Sequence, residues 1–185
     1  MNTQDLLGRI EPLLSRVNKP IQYVGGEHNS IVKEWQDVDV RWVLMYPDAY
    51  EVGQPNQGVA ILYEVLNECD WILAERTYSV WPDMEKHMRA AGIPQFTLDG
   101  HRPVRDFDIM SVSLSTELGY TNMLNAIDLA GIPVRQADRT DTDPIVLIGG
   151  HAAFNPEPVA DFIDAAVLGD GEEACLEISE IIRDW

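Results

Sequence analysis

Arg41-Trp42-Val43-Leu44-Met45-Tyr46 runs into Pro47-Asp48-Ala49-Tyr50-Glu51-Val52-Gly53-Gln54-Pro55-Asn56-Gln57-Gly58. That loop in turn meets Val59-Ala60-Ile61-Leu62-Tyr63-Glu64-Val65-Leu66, ending near Cys69. The first piece is an apolar run of strand length. The second is rich in Pro, Gly and Asn, and the third has helical apolar spacing. Strand, polar loop and helix N-terminus form the first unit of an open α/β sheet, where ligands sit outside the carboxyl ends of the strands. The loop Pro47–Gly58 is therefore expected to form part of the floor of any small-molecule site.

The same grammar repeats downstream. Trp71 to Val80 reads as a second strand, and Pro82 opens a helix that stops at Gly92. Asp108 to Leu114 is a third strand, followed by a helix over Glu117 to Ala130, capped by Ser115 or Thr116 and closed by Gly131. Ile145 to Ile148 is a buried parallel strand. Ala165 to Leu168 is the last strand and Ala174 to Arg183 the last helix. Strands alternating with helices predict a parallel sheet with right-handed crossovers. The expected fold is a flavodoxin-like, Rossmann-like doubly wound sheet of about five strands in the order 2-1-3-4-5. Residues 40–185 would form this domain. Residues 1–39 would add an N-terminal helix, kinked or interrupted at Pro12, and a Gly-rich connector around Gly25-Gly26-Glu27-His28. His28 there is either a solvated loop residue or a ligand.

A chain of 185 residues is one domain by default and long enough for a core. The net charge of −18 repels polyanions, which argues against a nucleic acid or an anionic membrane surface as partner; it also serves solubility. No apolar run approaches a membrane span, and the N-terminus lacks a secretory signal pattern. Cys69 and Cys175, far apart, fit a reducing cytoplasm and cannot hold an iron–sulfur cluster alone. No metal-ligand spacing is present.

Three loops fall together at the carboxyl edge of the expected sheet: Pro47–Gly58, Ser113–Glu117 and Gly149–Pro158. Gly169–Glu173 lies farther along it. Gly149 and Gly150, lacking Cβ atoms, let a ligand approach the backbone, and His151 follows at once. Ser113 and Ser115 alternate, so they point to one face with Leu114 on the other. Their hydroxyls either bind a ligand or, for Ser115 and Thr116, cap the next helix. Asp48 and Glu51 form a carboxylate pair that nothing sets opposite a nucleophile. Gly169-Asp170-Gly171-Glu172-Glu173 either holds a cation or hydroxyls, or complements the helix dipole.

Asp48-Ala49-Tyr50-Glu51-Val52-Gly53, Ser113-Leu114-Ser115 and Gly149-Gly150 resemble the Asp-x-His-x-x-Gly, Ser-x-Leu and Gly-Gly motifs of cobalamin-binding domains, with Tyr50 at the histidine position and Ser115 at the leucine position. More broadly, Tyr23 to Asn29, Pro47 to Gly53, Ala74-Glu75-Arg76, Trp81 to Met84, Arg105 to Asp108, Tyr120-Thr121-Asn122, Asn155 to Pro158 and Gly169 to Glu173 resemble the N-terminal region of B12-binding-domain-containing radical SAM proteins, which are Fe–S oxidoreductases. The resemblance implies a cobalamin site at Asp48, Tyr50, Gly53, Ser113, Ser115, Gly149, Gly150 and His151, with no histidine as lower cobalt ligand. The alternatives it leaves are a domain that has lost the cofactor and serves as a structural or substrate-gating cap, and a pocket that holds another small molecule. It also implies a radical SAM domain downstream in the same polypeptide as partner, carrying a [4Fe–4S] cluster and S-adenosylmethionine. This stretch would then be a non-catalytic domain fragment of a radical enzyme. A signalling receiver is excluded by Ser113 at the third strand's end and by the lack of a lysine after the last strand. A flavodoxin-type flavin carrier is disfavoured by a first loop without Ser or Thr.

Overall fold

The computed structural model describes residues 3–185. Its elements in order are α1 (Thr3–Leu14), β1 (Val40–Tyr46), α2 (Tyr50–Gly53), α3 (Gln57–Glu68), β2 (Ile72–Tyr78), α4 (Pro82–Ala91), β3 (Ile109–Ser113), α5 (Tyr120–Ala130), β4 (Ile145–Gly149), β5 (Ala165–Ala166) and α6 (Gly171–Asp184). The sheet has five strands in the order β2-β1-β3-β4-β5, all pairs parallel. The flavodoxin-like expectation holds.

Alternation along β1 decides the two layers. Trp42 and Leu44 face α3 and α6, while Val43 and Met45 face the core built with α5. A third apolar cluster joins Leu6, Ile10 and Leu13 of α1 to Met84 and Met88 of α4. The amphipathic pattern of α1 is thus satisfied against the body of the domain, and the helix runs through Pro12 to end at Leu14. Both glycine stops are real: Gly92 and Gly131 cap α4 and α5 in the left-handed conformation.

Local readings differ in several places: β5 ends at Ala166 rather than Leu168, and α6 begins at Gly171 rather than Ala174. The first loop contains a single helical turn, α2, held by Gly53 N–H to Ala49 O at 3.0 Å. The helix after β3 starts with a 3-10 turn at Glu117–Gly119, and no side chain caps it or α5. Gly119 is wedged there: a Cβ on it would lie 2.9 Å from Pro47 Cγ. The chain therefore turns tightly against the first loop before the α-helix begins.

β2 is an edge strand, yet all seven of its residues are buried. Its free edge is capped group by group. Lys33 Nζ donates to Ile72 O at 2.6 Å. Asn67 donates to Ala74 O and accepts from Ala74 N–H, at 3.0 and 3.1 Å. Arg76 N–H donates to Asp99 at 2.8 Å, and Arg76 O accepts from Leu98 N–H at 2.8 Å. Gln95 Nε2 donates to Tyr78 O at 2.8 Å. An uncovered edge would template pairing with another chain, and these partners remove that template.

The N-terminal segment also pins the first loop. Lys19 pairs with Glu51 at 2.8 Å, and Gln22 Nε2 donates to Glu51 at 2.6 Å. These hydrogen bonds, Lys19 first, lower the Glu51 pKa to about 2. A depressed carboxylate stabilises the fold above its ordinary value of 4.5 and loses that contribution as pH falls toward 2. We expect an NMR titration of the Glu51 carboxyl to show a midpoint near 2. In Lys19→Met it should move up toward the ordinary value; an unmoved midpoint would rule out this pinning.

Candidate functional site

In a central parallel strand, the positions facing a helix layer are usually filled by large aliphatic side chains. Here they are hollowed out. Ser111 sits in register between Leu44 of β1 and Leu147 of β4, and Ser113 stands beside Gly149. Under α3 and α6 these small residues leave a cavity of about 360 Å³. Trp42, Leu44, Leu147 and Ile178 supply apolar walls, and the cavity is open at the carboxyl edge, where Gly58, Gly150, His151 and Asp170 lie. The Trp42 ring is fixed by its Nε1–H, which donates to Ser179 Oγ at 2.9 Å. Among the described residues, the hydroxyls of Ser111 and Ser113 make no hydrogen bond, so both remain available to a ligand.

Two glycines at the end of β4 do different work. A Cβ on Gly149 would meet nothing within 4 Å, so this position opens onto the cavity. Gly150 has φ +92°, and a Cβ there would lie 2.7 Å from Leu114 O. Only glycine allows that close approach in that conformation. It brings Ala152 N–H to Leu114 O at 3.0 Å and so positions His151 at the rim.

Two helices begin at the same rim. Asn56 caps α3 by accepting from Val59 N–H at 3.0 Å, and Gly58 lines the cavity. The first turn of α6 adds Gly171 and Glu172, with Glu173 next in sequence. The acidic first turn complements the α6 dipole.

Of the eight residues singled out from sequence, Ser113, Ser115, Gly149, Gly150 and His151 line this cavity. Asp48 lines a neighbouring hollow of about 100 Å³ together with Ser113, Ser115 and Asn122. Tyr50 and Gly53 are engaged elsewhere. The Tyr50 hydroxyl donates to Glu27 at 2.5 Å, and its ring meets Tyr78 edge-on at 5.7 Å. Burial and then the Glu27 hydrogen bond push the Tyr50 pKa to about 12, so the phenol stays protonated at neutral pH. Gly53 packs on the Tyr78 ring, where a Cβ would approach to 2.3 Å.

Trp42, Leu62, Ser111 and Cys175 also line the cavity and were not among the expected site residues. Ser111 had a signal in the sequence: with Ser113 and Ser115 it makes a period-2 polar stripe through an otherwise apolar strand. Cys175 is buried, and desolvation raises its thiol pKa to about 11, which keeps it unreactive.

Residues 58–185 match the family described as radical SAM proteins, N-terminal. The chain belongs to this family. No curated protein and no solved structure matched it. Membership ties the chain to radical SAM proteins, a class that implies S-adenosylmethionine and a [4Fe–4S] cluster in the parent protein. Among the described residues no group of three or more His, Cys, Asp or Glu side chains is placed to hold a metal ion. No helix among them is long and apolar enough to cross a membrane.

Proposed function

We propose that this region is the cobalamin-binding domain of a radical SAM protein, and that the cofactor's nucleotide tail enters the cavity beneath α3 and α6. The observation that carries the reading is the hollowing of the central strands. Ser111, Ser113 and Gly149 stand where large aliphatic residues would otherwise fill the layer. The donor set fits such a tail: apolar walls for an aromatic base, free serine hydroxyls, and backbone exposed at Gly149 and Gly150. Bound cobalamin would supply a redox-active, alkyl-carrying cobalt to the parent enzyme. The protonated Tyr50 phenol, tied to Glu27, supports a bound form in which the first loop offers cobalt no histidine-like ligand.

The carboxyl edge around the cavity mouth carries Val52, Leu118, Phe154 and Leu168, exposed apolar residues from the segments that follow β1, β3, β4 and β5. In this reading they dock the radical SAM domain of the same polypeptide, which closes over the bound ligand. The packing of Tyr50 and Gly53 favours a second reading, in which the domain is a cofactor-free cap on that partner.

Mixing the purified domain with hydroxocobalamin and desalting it separates the two. Colour retained at about one cofactor per chain is the expected result. A colourless protein would sink the cobalamin reading and leave the cap. Phe154→Asp and Leu118→Asp would then be expected to weaken association with the radical SAM domain without lowering Tm.

A further inference from the structure

Four buried side-chain polar atoms among the described residues lack a hydrogen-bond partner: Gln22 Oε1, Arg41 Nε, Ser79 Oγ and Gln95 Oε1. Three of them belong to residues that line one small hollow, bounded also by Tyr23, Tyr50 and Tyr78. Gln22 and Gln95 are 3% and 2% exposed. Buried polar groups in native proteins are nearly always satisfied, so three orphans around one space call for a common partner.

The orientation of both amides is settled by their neighbours. Gln95 Nε2 donates to Tyr78 O and Thr77 Oγ1, each at 2.8 Å. Gln22 Nε2 donates to the Glu51 carboxylate at 2.6 Å. A backbone carbonyl and a carboxylate only accept, so neither amide can be flipped without losing these bonds. Both Oε1 atoms are therefore acceptors in search of a donor, while Ser79 Oγ can donate or accept.

The hollow holds about 10 Å³, the room of one small molecule. We propose that it is a site for a single buried water. The water donates one hydrogen to Gln22 Oε1 and one to Gln95 Oε1, and accepts the Ser79 hydroxyl hydrogen. Its donors and acceptor match the three orphans one for one. The site lies where three parts of the chain converge. Gln22 belongs to the N-terminal 3-10 turn Pro20–Tyr23, and Ser79 follows β2 directly. The Ser79 N–H also donates to Asp48 O in the first loop, at 2.9 Å. The water thus joins the N-terminal turn to the base of the loop that carries Asp48 and Tyr50. This inference is independent of what fills the larger cavity.

High-resolution diffraction from crystals of the chain is expected to show one solvent peak about 2.7–3.2 Å from each of the three atoms. In solution, the side-chain amide protons of Gln22 and Gln95 should show NOEs to a long-lived water. A dry hollow would overturn the proposal. So would a peak at about 2.4 Å from the amide oxygens, which is metal-ion distance. Ser79→Ala gives a test by sign. Removing the donor of a hydrated network should lower Tm by about 2–4 °C. Removing a hydroxyl that has no partner would instead leave Tm unchanged or raise it, and that result refutes the water site.

Discussion

Asp99→Ala is expected to lower stability by about 3–5 kcal/mol, the range for breaking a buried ion pair from one side. Asp99 is the hub of the β2 edge. Its carboxylate accepts from Arg76 Nη2 at 2.7 Å, Arg76 N–H at 2.8 Å, Arg76 Nε at 3.2 Å and Ser30 Oγ at 2.7 Å. The side chains of Arg76 and Asp99 are 4% and 1% exposed. Alanine would leave a guanidinium buried over the Tyr63 ring, 4.1 Å from its centroid, with no counter-charge, and would orphan a backbone N–H on the edge. Against a typical total of about 5–15 kcal/mol, such a loss removes roughly a fifth of the stability or more. Urea unfolding checks it: the midpoint should fall with the m-value unchanged. Asp99→Asn, which keeps one acceptor oxygen but loses the charge, should fall between wild type and alanine. A midpoint in Asp99→Ala within error of wild type would show that the edge is held by other contacts.

The second large effect separates binding from folding at adjacent glycines. Gly149→Phe should leave the fold intact, because the new side chain enters open space from ordinary backbone. Under the function proposed above, it should cut cobalamin affinity by about a hundredfold or more, roughly 2.8 kcal/mol, by filling the cavity. Gly150→Ala should do the reverse. Its left-handed φ and the Leu114 carbonyl at 2.7 Å make any side chain strained, at a cost of about 1–3 kcal/mol. Titration of hydroxocobalamin followed by visible absorbance, alongside thermal unfolding, reads both quantities. A Gly149→Phe protein that still binds at wild-type affinity would place the ligand outside this cavity.

Much of the architecture could be read from local pattern. β1 occupies Val40–Tyr46 as its apolar run required, and α4 fills the span between Pro82 and Gly92. Alternating strands and helices pointed to a parallel doubly wound sheet, and the order β2-β1-β3-β4-β5 is the flavodoxin-like one expected. The stripe of Ser113 and Ser115 around Leu114 was legible because side chains alternate along a strand. The α2 turn and the 3-10 start before α5 were not, because they arise from Gly53 packing on Tyr78 and Gly119 on Pro47. Those contacts join residues 25 or more positions apart and leave no local periodicity.

The Asp48-Ala49-Tyr50-Glu51-Val52-Gly53 loop shows the same division. Its residue types and its place after the first strand mark the carboxyl edge of the sheet as the place for a ligand, and sequence alone determines that much. Only the tertiary structure decides what Tyr50 does. Its hydroxyl is held by Glu27, 23 residues away, and its ring by Tyr78, so it belongs to the wall joining the N-terminal segment to β2. The cavity itself lies on the far side of that wall, among side chains of β1, β3, β4, α3 and α6. A motif orders residues along one chain, whereas a cavity is the space left between five elements, and that space exists only once they pack.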